Sequence, residues 1–289
     1  MAPRRANRDL RLRGHPTRMK LQTVPAARGV LWVRQGFRAF FRYPMAFAAL
    51  FAASMFTVFV LALLPVVGSL LVLGMLPLVS LAFMVATRVV AEGGRPSATA
   101  LIEPLRAHRP RVRALLWLAL GYAAATFAVV WLSDLVDGGA LEALFDASTT
   151  AQTSPDAMAT RLAAPGLMSG LLLRVGLAGL LAVPFWHAPA LVFWDGHGAA
   201  QALFSSTLAC WRNRGAFVLY SLVWFGLILA FGIAASLVFS LIGAPQLFAV
   251  AAVPMSLIFT TVFYASLYFT FADCFVTAES DPAPVPGTA

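Results

Sequence analysis

Four ionisable side chains stand inside or at the ends of long apolar runs: Arg174, His187, Asp195 and Asp273. An arginine in such a run can hold an anion or a lipid headgroup. It can also reach back to water along its own methylene stem. His187 sits in Pro184-Phe185-Trp186-His187-Ala188-Pro189. Two prolines five residues apart leave backbone carbonyls unpaired, and an imidazole there can satisfy one of them or relay a proton. Asp195 and Asp273 each close the far end of a charge-free run, where a carboxylate pairs with an arginine of a neighbouring helix or faces water.

Little else converges. The histidines (His15, His108, His187, His197) are scattered, and zinc needs three or four ligands together. Cys210 and Cys274 have no metal-ligand spacing and no partners for a disulfide framework. No pair of carboxylates shares a helical face inside an apolar run, and no GxGxxG, P-loop, GxSxG or HExxH occurs. The expectation is a protein without catalytic, cofactor-binding or metal-binding residues.

The elements that must position these groups follow from composition. Of 289 residues, 60% are hydrophobic and 11% charged, and the mean hydropathy is +0.82. Soluble domains carry about 25% charge, so this chain has too little to coat a water-facing surface. A soluble enzyme, a disordered chain and a disulfide scaffold are excluded. Charge-free stretches cover Tyr43–Thr87, Ala114–Ser133, Val175–Trp194 and Gly215–Ala272. A membrane-crossing helix takes about 20 residues, so the first and last runs hold two crossings each. Pro65-Val66-Val67-Gly68 and Gly243-Ala244-Pro245-Gln246 mark their hairpin tips. The fold class expected is all-α, a polytopic integral membrane protein of six transmembrane helices, at about 45–64, 69–91, 113–133, 168–192, 216–242 and 247–272. Lipid tolerates no unpaired backbone, which requires helices over these lengths.

Charge placement sets the expected orientation. The net charge is +9, and 19 of the 21 basic residues, all but Arg161 and Arg174, fall in segments on one side of the six crossings. The loop 134–167 carries Asp134, Asp137, Glu142, Asp146 and Asp156 instead. The positive-inside rule then puts both termini in the cytoplasm and the acidic loop outside. The basic stretch at the N-terminus is too long for a cleavable signal peptide. A basic excess elsewhere suggests nucleic acid. Here its position beside the crossings points to anionic phospholipid headgroups of the bilayer as the partner.

Helical spacing appears before the crossings as well. Val30, Val33, Phe37, Phe40 and Phe41 share a face, with Arg34, Arg38 and Arg42 on another. This is the pattern of a cytoplasmic interfacial amphipathic helix. Ala200, Phe204, Leu208 and Trp211 repeat it before the fifth crossing, and Leu101, Leu105 and His108 do so weakly before the third. Three parallel units of amphipathic helix plus hairpin result, at about 24–92, 97–192 and 197–274. A basic tail (1–23) and a Pro- and Ala-rich tail (276–289), both expected to be disordered, flank the membrane domain 24–275. Short surface helices are expected in the loop 134–167. Trp32, Trp117, Trp131, Trp194 and Trp211 fall near expected interfaces and read as belt anchors. Gly166, Gly170, Gly176 and Gly179 permit close helix packing.

The order of short motifs also resembles a known family. Val24-Pro25, Trp32-x-x-x-Gly36-Phe37-x-x-Phe40 and Pro44 open it. Leu76-Pro77-Leu78, Phe83-Met84, Ala188-Pro189-Ala190-Leu191-Val192 and Tyr268–Phe275, containing Asp273, follow. The chain over about 24–275 is similar to an uncharacterised proteobacterial family of six-helix inner-membrane proteins of unknown function. It departs from the pattern in a longer basic N-terminus, a longer outer loop and His187 at an apolar position. The resemblance implies topology and the bacterial inner membrane, and it carries no catalytic residues. The function expected is non-enzymatic organisation, assembly or regulation of membrane-protein partners or lipids. The alternative is a small transporter or channel, with Arg174, His187 and hydroxyls lining a polar path.

Overall fold

The computed structural model describes residues 19–65, 67–149, 154–244 and 246–277. The expected basic tail through residue 18, tip residues 66 and 245, positions 150–153 of the long loop and the tail from 278 lie outside the described residues. In chain order the elements are β1 (Met19–Leu21), α1 (Arg28–Arg42), α2 (Pro44–Ala62) and α3 (Gly68–Ala91). Two 3₁₀ turns follow, at Ala98–Leu101 and Glu103–Arg106. Then come α4 (Arg109–Asp137), α5 (Ala140–Thr149), α6 (Pro155–Leu162) and α7 (Leu167–Phe185). A short helical piece at Ala188–Ala190 and a π-turn at Leu191–Asp195 continue α7. The chain then forms α8 (Ala199–Arg212), α9 (Arg214–Leu241), α10 (Leu247–Cys274) and β2 (Phe275–Thr277).

Six of these helical stretches are long and apolar enough to cross a membrane: α2, α3, α4, Leu167–Asp195, α9 and α10. The expected crossing at 113–133 is longer on both sides, because Arg109, Arg111, Asp134 and Asp137 ride the same helix out of the apolar zone. The acidic loop contains the two short helices expected of it, α5 and α6.

The crossings are not equivalent. α3 has 61% of its apolar window buried by the protein, and the other five have no more than 22%. It is the central post: Leu81, Ala82, Phe83 and Met84 are all fully buried. Large apolar side chains elsewhere, such as Phe56, Leu172, Leu180, Phe225 and Val250, are exposed. Water would not tolerate so much contiguous apolar surface, but lipid does.

At the basic end of the bundle, α1 packs on α9 and α10. Its buried face is Gly29, Trp32, Val33, Gly36, Ala39 and Phe40, at the i, i+3, i+4, i+7 spacing of one helical stripe. Two glycines set the closeness. A Cβ on Gly29 would lie 2.3 Å from the Ala216 carbonyl oxygen, and one on Gly36 would lie 2.6 Å from Ser266 Cβ. Arg34, Arg38 and Arg42 are exposed, as their spacing implied. Pro44 then opens α2, where its missing N–H costs nothing.

Two segments differ from the sequence reading. Residues 97–108 form 3₁₀ turns in place of an amphipathic α-helix. Pro104 supplies no N–H, and the extended Ser97 caps the first turn by accepting from Thr99 N–H. Part of each expected tail is also ordered. Met19, Lys20 and Leu21 pair antiparallel with Thr277, Val276 and Phe275, so the membrane domain's ends zip together just outside the last crossing.

Candidate functional site

The chemistry-bearing residues gather in two places, one at each end of the bundle. The larger set is at the basic end. Arg28 opens α1 and Asp273 lies in the last turn of α10. Arg28 Nε donates to Asp273 Oδ2 at 2.7 Å and Nη2 donates to Oδ1 at 2.5 Å. Trp32, one turn along α1, donates its indole N–H to Asp273 Oδ2 at 2.6 Å. The carboxylate accepts three charge-assisted bonds, each stronger than a bond between neutral groups. Hydrogen bonding to Asp273 holds the Arg28 guanidinium above its usual pKa, against an opposing desolvation. The expected arginine partner of Asp273 is therefore found. Trp32 is fully buried and is not a belt anchor.

Asn213 closes the same cap from the α8–α9 junction. Its Oδ1 accepts from Val24 N–H at 2.7 Å, and its Nδ2 donates to the Gln22 carbonyl at 3.1 Å and the Ala209 carbonyl at 3.0 Å. Gln22 in turn donates through Nε2 to the Asp273 carbonyl at 2.6 Å. Asn213 is almost completely buried, so removing its amide would strand backbone groups. In the sequence Asn213 reads as one polar residue among Arg212, Arg214 and Gly215, and nothing there marks its distant partners.

Among the described residues Asp195 has no arginine partner. Arg111, the nearest cation of α4, donates instead to the Phe193 carbonyl at 3.0 Å. Asp195 Oδ1 accepts from Met19 N–H at 3.3 Å, and His197 Nε2 lies 2.9 Å from Oδ2. The left-handed Gly196 turns the chain back so that residues 195 and 197 face each other.

His187 is sealed. Its ring is fully buried and lies 5.5–5.9 Å, centroid to centroid, from Phe217, Phe271 and Phe275. The Thr270 hydroxyl donates to the Leu267 carbonyl at 2.7 Å. Its remaining lone pairs accept from Trp186 Nε1 at 3.2 Å and His187 Nε2 at 3.1 Å. That places the imidazole proton on Nε2 and leaves Nδ1 without a partner among the described residues. The freed carbonyl beside the prolines is satisfied by another residue. Ser206 of α8 accepts from His187 N–H at 3.0 Å and donates to the Val183 carbonyl at 3.0 Å. One hydroxyl thus bridges the i and i−4 groups of a broken helix turn. Residues His187 through Val192 are all buried against this staple. Cys210, one turn further along α8, is pushed up to about 12 by burial, which keeps it a thiol.

The smaller set is at the acidic end. Arg174 pairs with Asp134 across α7 and α4. Gly166 and Gly170 let α7 approach Asp137 there, whereas Gly176 and Gly179 face open space. The four singled-out residues therefore do not form one site: Asp195, His187 and Asp273 share the basic end, and Arg174 lies at the other. Among the described residues no three His, Cys, Asp or Glu side chains converge to hold a metal ion. Chemically, the arrangement stores polar bonds inside the fold and presents exposed arginines outside it. Arg34, Arg38, Arg42, Arg106, Arg109, Arg113, Arg212 and Arg214 are all exposed at the basic end.

No family model matches the chain. No solved structure matches it. It is similar to a probable inner membrane protein of Burkholderia thailandensis, with 35% identity over 274 residues that cover 94% of this chain and 99% of that protein.

Proposed function

Because the chain belongs to the family of that Burkholderia thailandensis protein, and is thus a multi-pass inner-membrane protein, we propose that it is a non-enzymatic membrane scaffold. Its working surface is the cap built from β1, α1, α8 and β2, which organises a membrane-protein partner beside anionic phospholipid. The observation that carries this reading is the internal use of the polar groups. Asp273 is saturated by Arg28 and Trp32, and Arg174 is neutralised by Asp134. His187 is enclosed by aromatic rings. What remains free at this end is an exposed set of arginines with Val30, Leu31, Phe41 and Met45 beside them. Aromatic and arginine side chains together are the usual anchors of a protein interface.

Both termini and the cap lie in the cytoplasm in this proposal, since basic segments are retained on that side. The interfacial placement of α1 and α8 and the three parallel units belong to the same reading. Transport is the second reading. It draws on the unpartnered Nδ1 of His187 and Nε of Arg174. Those atoms lie toward opposite ends of one crossing, and five well-formed cavities among the described residues are lined by neither residue. Photo-crosslinking from the exposed face of α1 in living cells tests the scaffold: a discrete protein adduct supports it.

A further inference from the structure

We propose that the cleft between α7 and α9 is a binding site for one anionic phospholipid, with an acyl chain lying in the cleft and the phosphate held by Arg214. The cleft has a volume of about 560 Å³, within the range of about 300–1,000 Å³ typical of small-molecule sites. Gly179, Ala182 and Val183 of α7 form one wall, and Val218, Leu222 and Phe225 of α9 form the other. Trp211 of α8 and Arg214 stand at its basic end. From Arg214 to Phe225 the helix rises roughly 16 Å, close to half of the ~30 Å hydrocarbon core. The cleft therefore has the depth of one leaflet.

Charge selects this cleft over the others. The cavity of about 430 Å³ around Gly74 and Leu105 has no charged residue in its lining. The cavity that contains Arg88 also contains Glu92, which takes the arginine's Nε–H at 2.8 Å. Arg214 has no hydrogen-bond acceptor among the described residues. Its guanidinium rests over the Trp211 ring, 5.7 Å from the centroid. That contact sets the guanidinium beside the ring, with its N–H groups open to the oxygens of a phosphate. An apolar slot one leaflet deep with an open guanidinium at its interfacial end matches the acyl chain and phosphate of a phospholipid.

The test is native mass spectrometry of the full chain in mild detergent, titrated with phosphatidylglycerol or phosphatidylcholine. The expected result is one phosphatidylglycerol retained at about tenfold lower lipid concentration than phosphatidylcholine. Arg214→Ala removes that preference, and Arg214→Lys keeps part of it. Gly179→Leu fills the cleft and weakens both lipids by about tenfold. A Cβ at Gly179 meets nothing within 4 Å, so this variant keeps the fold, which an unchanged Tm verifies. Equal retention of both lipids by the unmodified protein overturns the proposal. So does unchanged binding in Gly179→Leu and Arg214→Ala. The site does not rest on the scaffold reading: crosslinking from α1 persists if only the lipid proposal fails.

Discussion

Arg28 and Asp273 are 245 positions apart and meet through two hydrogen bonds, Nε to Oδ2 at 2.7 Å and Nη2 to Oδ1 at 2.5 Å. The contact ties the first helix to the end of the last crossing. With β1 paired to β2 a few residues away, it makes the basic-end cap a single closed structure. The cap is built from β1, α1, α8 and β2, outside the six crossings, and in the proposed reading it is the surface for a partner.

Asp273→Ala leaves the buried Trp32 indole N–H without its acceptor and returns the partly exposed Arg28 guanidinium to water. It should lower stability by about 1–3 kcal/mol. Asp273→Asn keeps an oxygen for Trp32 and should cost less. Thermal unfolding in detergent gives the order directly: Asp273→Ala melts lowest, Asp273→Asn between it and the unmodified protein.

Ser206→Ala leaves His187 N–H unpaired in a buried turn and leaves the Val183 carbonyl only the weak thiol donor of Cys210, at 3.7 Å. The expected loss is about 1–3 kcal/mol. Ser206→Gly should be no better, since the missing hydroxyl is the cause. An unfolding midpoint within error of the unmodified protein would show that the broken turn is satisfied another way.

Arg174 and Asp134 should behave as a pair. Either residue changed to Ala lowers stability by about 1–2 kcal/mol, and the double change costs little more than one. Exchanging the two, Arg174→Asp with Asp134→Arg, should recover part of the loss. Additive single effects in a double-mutant cycle would refute the pairing.

Cys210 should resist alkylation in the folded protein. With its pKa raised by burial from 9.0 to about 12, the thiolate at pH 8 is about one part in 10⁴, against about one in ten for an exposed thiol at 9.0. The sign for stability follows: the protonated thiol favours folding fully below pH 9, and this contribution falls away as pH rises from 9 toward 12. Maleimide labelling followed by peptide mass analysis should find Cys210 modified after denaturation and unmodified before it.

What the residues announce on their own is the number and place of the crossings. Each crossing carries its own run of about 20 uncharged residues, a local signal that needs no tertiary knowledge. Asp273 is legible as a carboxylate at the end of such a run. Its partner is not, because a contact between positions 28 and 273 leaves no periodicity in either segment. Ser206 is illegible for a related reason. On α8 it reads as a small polar residue, and its role depends on a proline-broken turn in another helix. Trp32 misleads because a helix-end tryptophan suits both an interface and a core. The close approach permitted by Gly29 and Gly36 decides for the core. The segment 97–108 has helical spacing of apolar residues, but Pro104 interrupts it and it forms 3₁₀ turns.

The scaffold account is tested most directly by crosslinking in living cells. Arg38 and Phe41, both exposed on α1, are replaced one at a time by a photo-reactive amino acid, with Leu229 on the lipid-facing side of α9 as the comparison. The account predicts the same protein adduct from positions 38 and 41, absent from 229, and lost when Asp273→Ala loosens the cap. Lipid adducts alone from all three positions would contradict it.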